Sequence, residues 1–122
     1  MVIALAVGMR LYMLGVWPPG PYRDEAYNGL DALGVLRGNH ALFFSANNGR
    51  EPSYIYLAAL SIALFGPTLF ALRLPAAVAG ALATLPVYLL GRDWFGRATG
   101  LFAAALWAIT FWPIHLGRIG LR

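Results

Sequence analysis

Two adjacent carboxylates, Asp24 and Glu25, are the residues of this sequence best suited to chemistry. The chain has five acidic residues, and these two lie side by side in the run Tyr22-Arg23-Asp24-Glu25-Ala26-Tyr27. A carboxylate that lies close to a reacting hydroxyl can take its proton as a general base. In the first turn of a helix, the same carboxylates would instead cap the helix and complement its dipole. We therefore treat both as candidate catalytic residues, with capping as the structural alternative.

The basic residues are a second group whose side chains could take part in substrate binding. All nine are arginines, and they occur singly near the ends of apolar segments. An arginine can bind phosphate oxygens through two parallel hydrogen bonds, or it can simply extend its head to the membrane surface and anchor a helix. The candidate substrate-binding residues are Arg23, Arg50, Glu51, Arg73, Arg118 and Arg122. No basic run indicates nucleic acid, no cysteine is present, and the sequence predicts neither a metal site nor a cofactor.

The composition indicates that these residues are positioned by a membrane protein. Hydrophobic residues make up 60% of the chain and charged residues 11%, far from the roughly one-quarter charged residues of globular domains. We predict an all-α membrane protein with about three transmembrane helices, at residues 1–17, 68–91 and 98–115. Residues 18–67 would then form a large first outer loop, and membrane lipids would surround the spans.

The predicted outer loop contains two helices that are too short to cross a bilayer. Three prolines and a glycine at positions 18–21 end the first span. A helix is predicted over residues 24–37, where Tyr27, Leu30, Leu33 and Leu36 recur every three residues, and another over residues 53–65. Both should lie along the interface. The polar connection between them carries the turn signal Asn47-Asn48-Gly49.

The order of these features resembles the N-terminal part of a family of membrane glycosyltransferases. This is family 39 of the GT-C class, the protein mannosyltransferase and aminoarabinose transferase group. The resemblance lies in the Asp-Glu pair after a Pro-rich exit and in Arg50-Glu51-Pro52, which opens a Tyr-rich helix. It continues through residues 73–80, which resemble the start of the second span, and residues 92–97, which resemble the first cytoplasmic turn.

The resemblance implies transfer of a sugar from a polyprenyl-phosphate donor to a lipid or protein acceptor. The enzyme would be a multi-pass protein of the cell membrane, active on its extracytoplasmic face in glycosylation of the cell envelope. Asp24 would be the base, and Arg23, Arg50, Arg73, Arg118 and Arg122 would share its side of the membrane. Members of the aminoarabinose branch commonly have a lysine where this chain has Glu51, so Arg50 is expected to take over its phosphate contact.

Two other classes of function are compatible with the residues themselves. One is a non-catalytic small membrane subunit or truncated gene product, in which Asp24 and Glu25 only cap a helix. The other is a transporter fragment, although residues 98–115 contain no charge at mid-span. Only Arg92 and Arg97 lie in the predicted cytoplasmic turn, so the orientation rests on the resemblance rather than on charge bias. We expect the chain to be part of a longer enzyme and to be inactive alone.

Overall fold

The computed structural model describes residues 1–45 and 49–119, and it is built from α-helices. Within these residues the only β-structure is an isolated antiparallel bridge between Phe44 and Arg50. The helices are α1 (Val2–Leu11), α2 (Arg23–Leu36), α3 (Pro52–Phe65), α4 (Leu69–Leu82), α5 (Thr84–Phe95), α6 (Arg97–Ile109) and α7 (Phe111–Leu116). The prediction of an all-α membrane protein is confirmed. The turn predicted at Asn47 and Asn48 lies outside the described residues.

One helix of the described chain is long and apolar enough to cross a bilayer. Helices α4 and α5 together form the 27-residue segment Leu69–Phe95, which at 1.5 Å per residue is about 40 Å long. It begins one residue after the start of the predicted span 68–91 and extends four residues beyond its end. The junction between the two helices is at Ala83, where the hydrogen bond from Val87 N to Ala83 O is stretched to 3.5 Å. Pro86 has no N–H to donate there, so the helical ladder is weakened at this point.

The other two predicted spans correspond to shorter apolar helices. Helix α1 has ten residues, against the seventeen predicted. Helix α6 has thirteen residues and ends at Ile109, because Thr110 adopts an extended conformation before α7. Pro113 in α7 has no N–H with which to continue the α6 ladder. The count of three transmembrane helices therefore stays a prediction.

The chain forms two compact units, and their boundary falls within α4 after Pro75. The first unit contains residues 1–12 and 76–118. In it, α5 and α6 approach closely at two glycines. A Cβ atom on Gly91 would lie 2.9 Å from Gly100 Cα, and one on Gly100 would lie 2.7 Å from Tyr88 O. Neither position has room for a side chain.

The second unit contains residues 13–75 and Ile119. Its helices α2 and α3 agree with the predicted ones to within one residue at each end. They pack around a core that also includes the start of α4, and its members are Ala32, Val35, Phe44, Ile55, Ala58, Ala59, Ile62, Ala71 and Leu72. The face of α2 that packs inward also carries two polar residues, Glu25 and Asn28.

Candidate active site

The Glu25 carboxylate is completely buried in the first turn of α2. Its Oε2 atom accepts a hydrogen bond of 3.1 Å from the backbone N–H of Tyr22, which precedes the helix. This contact satisfies one of the N–H groups that every helix start leaves without an intrahelical partner. The capping role considered for the acidic pair is therefore performed by Glu25.

The same carboxylate forms a buried ion pair with Arg73 of α4. Arg73 Nε donates to Glu25 Oε1 at 2.6 Å, and Nη2 donates to Oε2 at 3.0 Å. The remaining donors of the guanidinium bind backbone carbonyls, with Nη1 to Leu14 O at 3.1 Å and to Pro18 O at 2.9 Å, and Nη2 to Gly20 O at 2.8 Å. All five N–H groups of this buried side chain are thus used within the protein.

These contacts change the roles that the sequence suggested for Glu25 and Arg73. Glu25 was expected to be catalytic, but both of its oxygens accept hydrogen bonds and neither is exposed. Arg73 was expected to bind a phosphate, but it has no N–H group left to donate. The pair instead connects the first turn of α2 to the Pro-rich segment that precedes it.

Asp24 is the carboxylate of the acidic pair that retains some exposure. It is half-buried at the second position of α2. Successive residues of an α-helix project about 100° apart, so its side chain points to a different side of the helix from Glu25. The ion pair of Glu25 with Arg73 fixes the backbone on which Asp24 stands. Asp24 therefore remains the candidate base.

Arg50 attaches a second segment to the same helix. Its Nη1 donates to Asn28 Oδ1 and its Nη2 forms an ion pair with Asp31 Oδ2. The guanidinium also lies over the ring of Tyr27, 5.8 Å from the ring centre. The side chain is buried. Arg50 was predicted to bind phosphate, and in the structure its guanidinium holds α2.

Two tyrosines of α3 donate hydrogen bonds to backbone carbonyls within this unit. Tyr54 Oη donates to Leu72 O at 2.8 Å, and Tyr56 Oη donates to Ala41 O at 3.1 Å. Burial raises the pKa of the Tyr54 phenol well above its usual value. The nearby Glu25 carboxylate raises this pKa further, and Arg73 lowers it. The phenol is thus held neutral beside the buried ion pair.

The other predicted binding residues are distributed between both units. Arg23 and Glu51 are exposed at the N-terminal ends of α2 and α3. Arg118 belongs to the first unit, where its Nη1 donates to Met9 O at 2.9 Å. Arg122 lies outside the described residues. That these arginines meet Asp24 at one site stays a prediction.

The sequence reasoning missed the roles of Asn28, Asp31 and Tyr54. A signal for the first two was present, because residues 25, 28 and 31 follow one another at intervals of three and so share a side of α2. For Tyr54 no local signal existed. As for metals, nowhere in residues 1–45 and 49–119 do three or more His, Asp or Glu side chains come together in a group that could hold an ion.

The chain matches a known protein family over residues 49–120. The family is described as dolichyl-phosphate-mannose-protein mannosyltransferase, and the matched segment is more than half of the chain. The chain belongs to this family. It is therefore a member of a glycosyltransferase family associated with membranes, as the resemblance implied. The match includes Arg50, Glu51, Arg73 and Arg118, whereas Asp24 precedes it. No curated protein and no solved structure matches the chain.

Proposed function

We propose that this chain is the N-terminal part of an enzyme that transfers a sugar from a polyprenyl-phosphate donor to a lipid or protein acceptor. Transfer would take place at the extracytoplasmic face of the cell membrane, with Asp24 as the general base. The family match supports glycosyl transfer. Asp24 is assigned as the base because the two residues of the acidic pair lie in different environments. Glu25 is buried and fully bonded, and its neighbour is half-exposed on the same fixed turn.

The proposed reaction is a single displacement at the anomeric carbon of the donor sugar. The acceptor hydroxyl oxygen forms a bond to this carbon while the bond to the phosphate oxygen breaks, so the configuration is inverted. Asp24 takes the hydroxyl proton, and the polyprenyl phosphate leaves with the electron pair of the broken bond. This displacement requires no oxidant, reductant or cofactor.

The leaving phosphate gains negative charge, which fixed cations would stabilise in a site with little water. Arg23 is the candidate in the second unit, since it is exposed and immediately precedes Asp24 in α2. Arg118 and Arg122 remain the other proposed phosphate contacts. Glu51, exposed at the start of α3, is proposed to contact the acceptor or the sugar rather than the phosphate, because like charges repel.

Arg73 and Arg50 contribute by positioning in this proposal. Both guanidinium groups are buried, and each binds side chains on the inward face of α2. A base works well only when its geometry is fixed before the substrate binds, since small displacements of the reacting groups cost large factors in rate. Helix α2, which carries Asp24, is thus held to the residues just before α3 by Arg50 and to the start of α4 by Arg73.

To test the proposal, the protein is expressed from its natural gene and sugar transfer is measured in the membranes that contain it. Asp24→Asn retains the shape of the side chain and much of its capping ability. We expect normal expression and a fall in transfer of roughly 10²–10⁴-fold, the usual contribution of a positioned base. Asp93→Asn is the control, because it removes an exposed carboxylate that forms only a surface ion pair with Arg92. Undiminished transfer by the Asp24→Asn enzyme would remove the base assignment and favour a non-catalytic role.

A further inference from the structure

A large cavity of the first unit lies between α1, α5 and α6 and is not used in the proposed transfer reaction. Its volume is about 590 Å³, which lies within the range of sites that hold one small ligand. The side chains that line it are apolar, apart from the hydroxyl groups of Thr84 and Tyr88. A hydrocarbon chain suits such a lining better than a polar solute does.

Two arginines lie at the end of this cavity that is nearest to Gly96, the residue between α5 and α6. Arg92 Cζ is 5.9 Å from the centre of the Tyr88 ring, and Tyr88 belongs to the cavity wall. Arg97 begins α6 and directly precedes Ala98, which also belongs to the wall. Both arginines are exposed. The apolar cavity thus opens beside a positively charged surface.

The charge of this surface is only partly balanced. Asp93 forms an exposed ion pair with Arg92, in which Nη2 lies 2.8 Å from Oδ1. Arg97 takes part in none of the ion pairs formed among residues 1–45 and 49–119. Two arginines and one carboxylate leave residues 92–97 with a net positive charge of one. An anionic group would complement this charge.

Exposed aromatic residues indicate that the same surface lies at the level of the lipid head groups. Trp94 and Phe95 stand between the two arginines and are 74% and 70% exposed. Tryptophan is enriched at membrane–water interfaces, where arginine also extends its head group toward the surface. Anionic phospholipids give the cytoplasmic leaflet its negative potential, and the resemblance predicts residues 92–97 on that side. The anion available to Arg97 there is a phospholipid head group.

We propose that Arg97 binds the phosphate of an anionic phospholipid, and that one acyl chain of this lipid occupies the cavity between α1, α5 and α6. Arginine can bind phosphate oxygens through parallel hydrogen bonds. The acyl chain supplies packing contacts to the apolar wall. The cavity suits a single acyl chain, whereas a polyprenyl chain is several times longer. This site does not depend on the transfer reaction.

The test counts the lipids bound to the protein expressed from its natural gene and purified in maltoside, a detergent without phosphate. Native mass spectrometry measures the affinities for phosphatidylglycerol and phosphatidylcholine with identical acyl chains. We expect the anionic lipid to bind roughly fivefold more tightly, which is the factor contributed by one arginine near an anionic surface. Equal affinities would overturn the proposal, because the arginine would then not recognise the head group.

The same measurement distinguishes other occupants of the cavity. Tighter binding of polyprenyl phosphate than of phosphatidylglycerol would assign the cavity to the sugar donor. Displacement of phosphatidylglycerol by inorganic phosphate would show that the acyl chain contributes nothing to binding. A protein dimer without lipid would show that a second copy of the chain covers the cavity. Each of these three results would overturn the proposal.

Arg97→Gln tests the contact with the head group. It removes the charge that no carboxylate balances, so the affinity for phosphatidylglycerol should fall roughly fivefold while that for phosphatidylcholine is unchanged. Arg37→Gln is the matched control, because Arg37 is also exposed but belongs to the second unit. The proposal fails if the two variants bind phosphatidylglycerol equally well.

Ala105→Leu tests the contact with the acyl chain without changing any charge. Ala105 is half-buried in the cavity wall, so the larger side chain fills part of the cavity. Both phospholipids should bind roughly tenfold more weakly, as a change of this kind in an apolar pocket commonly gives. Ala79→Leu, at an exposed position of α4 outside the cavity wall, is the control and should bind both lipids normally.

Both leucine variants should fold, since leucine favours a helix almost as strongly as alanine. Equal lipid affinities of the two variants would show that the acyl chain does not occupy this cavity. Because the readout is binding, these results are independent of any transfer assay.

Discussion

Arg73 and Glu25 form a two-bond ion pair in which neither side chain is exposed, although 47 residues separate them in the sequence. The pair joins the start of the long apolar segment Leu69–Phe95 to the first turn of α2. It also explains why one carboxylate of the acidic pair is buried while its neighbour is not. The candidate base is thus held in place by a contact in which it does not itself take part.

Removing one partner of this pair should be strongly destabilising. Glu25→Gln leaves the buried Arg73 charge without its counter-ion, and breaking a buried pair on one side typically costs about 3–5 kcal/mol. Replacing both residues by apolar ones, as in Glu25→Leu with Arg73→Met, should recover part of the loss, because no buried charge then remains. Unfolding of the purified chain in detergent measures both. If Glu25→Gln unfolds like the wild type, the buried ion pair does not contribute to stability.

The ion pair of Arg73 and Glu25 also shows why the sequence predicted helix α2 but not which of its faces is buried. Turn signals at the Pro-rich segment and at Gly66-Pro67 placed α2 and α3 to within one residue. The stripe of Tyr27, Leu30, Leu33 and Leu36 also indicated a helix, but Leu30 and Leu36 are exposed and the packed face contains Glu25 and Asn28. A polar face is buried only when partners from elsewhere satisfy it. Those partners come from distant parts of the chain, and no local pattern indicates them.

Two of the predicted spans, 1–17 and 98–115, are longer than the helices α1 and α6 for a different reason. Apolar composition continues across residues 12–17 and across Thr110, so the sequence predicted uninterrupted helices there. In the structure α1 ends at Leu11 and α6 ends at Ile109. An apolar composition shows that a segment prefers lipid or a protein core, but it does not show where a helix ends. Backbone geometry near proline and glycine decides where a helix ends.

The buried phenol of Tyr54 predicts a loss of stability in alkaline solution. Its pKa is raised in the folded state, whereas an unfolded tyrosine ionises near pH 10. The stabilising contribution is therefore complete below about pH 10 and is lost progressively as the pH rises toward the folded value. Tyr54→Phe should lose about 1 kcal/mol at neutral pH, from the hydrogen bond to Leu72 O, and should show a weaker alkaline dependence. Ionisation of this phenol near pH 10 in the folded chain, seen by difference absorbance, would contradict the expectation.

The close approach of α5 and α6 makes Gly100 intolerant of a side chain. A Cβ atom there would lie 2.7 Å from both Tyr88 O and Arg92 N, and these are backbone atoms that cannot rotate away. Gly100→Ala should therefore separate the helices and cost about 1–3 kcal/mol, as overpacking commonly does. Gly8→Ala, with open space around its Cβ position, is the control and should be neutral or slightly stabilising. Equal stability of the two variants would show that the helices are not packed through these glycines.

The final prediction is that the segment Leu69–Phe95 crosses the membrane once. Its length of about 40 Å exceeds the roughly 30 Å of a bilayer core, so its two ends should lie on opposite sides. The natural chain has no cysteine, so single cysteines at Pro67 and Asp93, both exposed, can be labelled without background. Asp93→Cys loses only a surface ion pair with Arg92, which contributes little to stability.

In sealed inverted and right-side-out vesicles, a membrane-impermeant maleimide should label each cysteine in one orientation only. We expect Pro67→Cys to react from the extracytoplasmic side and Asp93→Cys from the cytoplasmic side, because the family resemblance places the outer loop outside. Labelling of both cysteines from one side would show that this helix lies along the membrane or re-enters it, and it would remove the predicted topology.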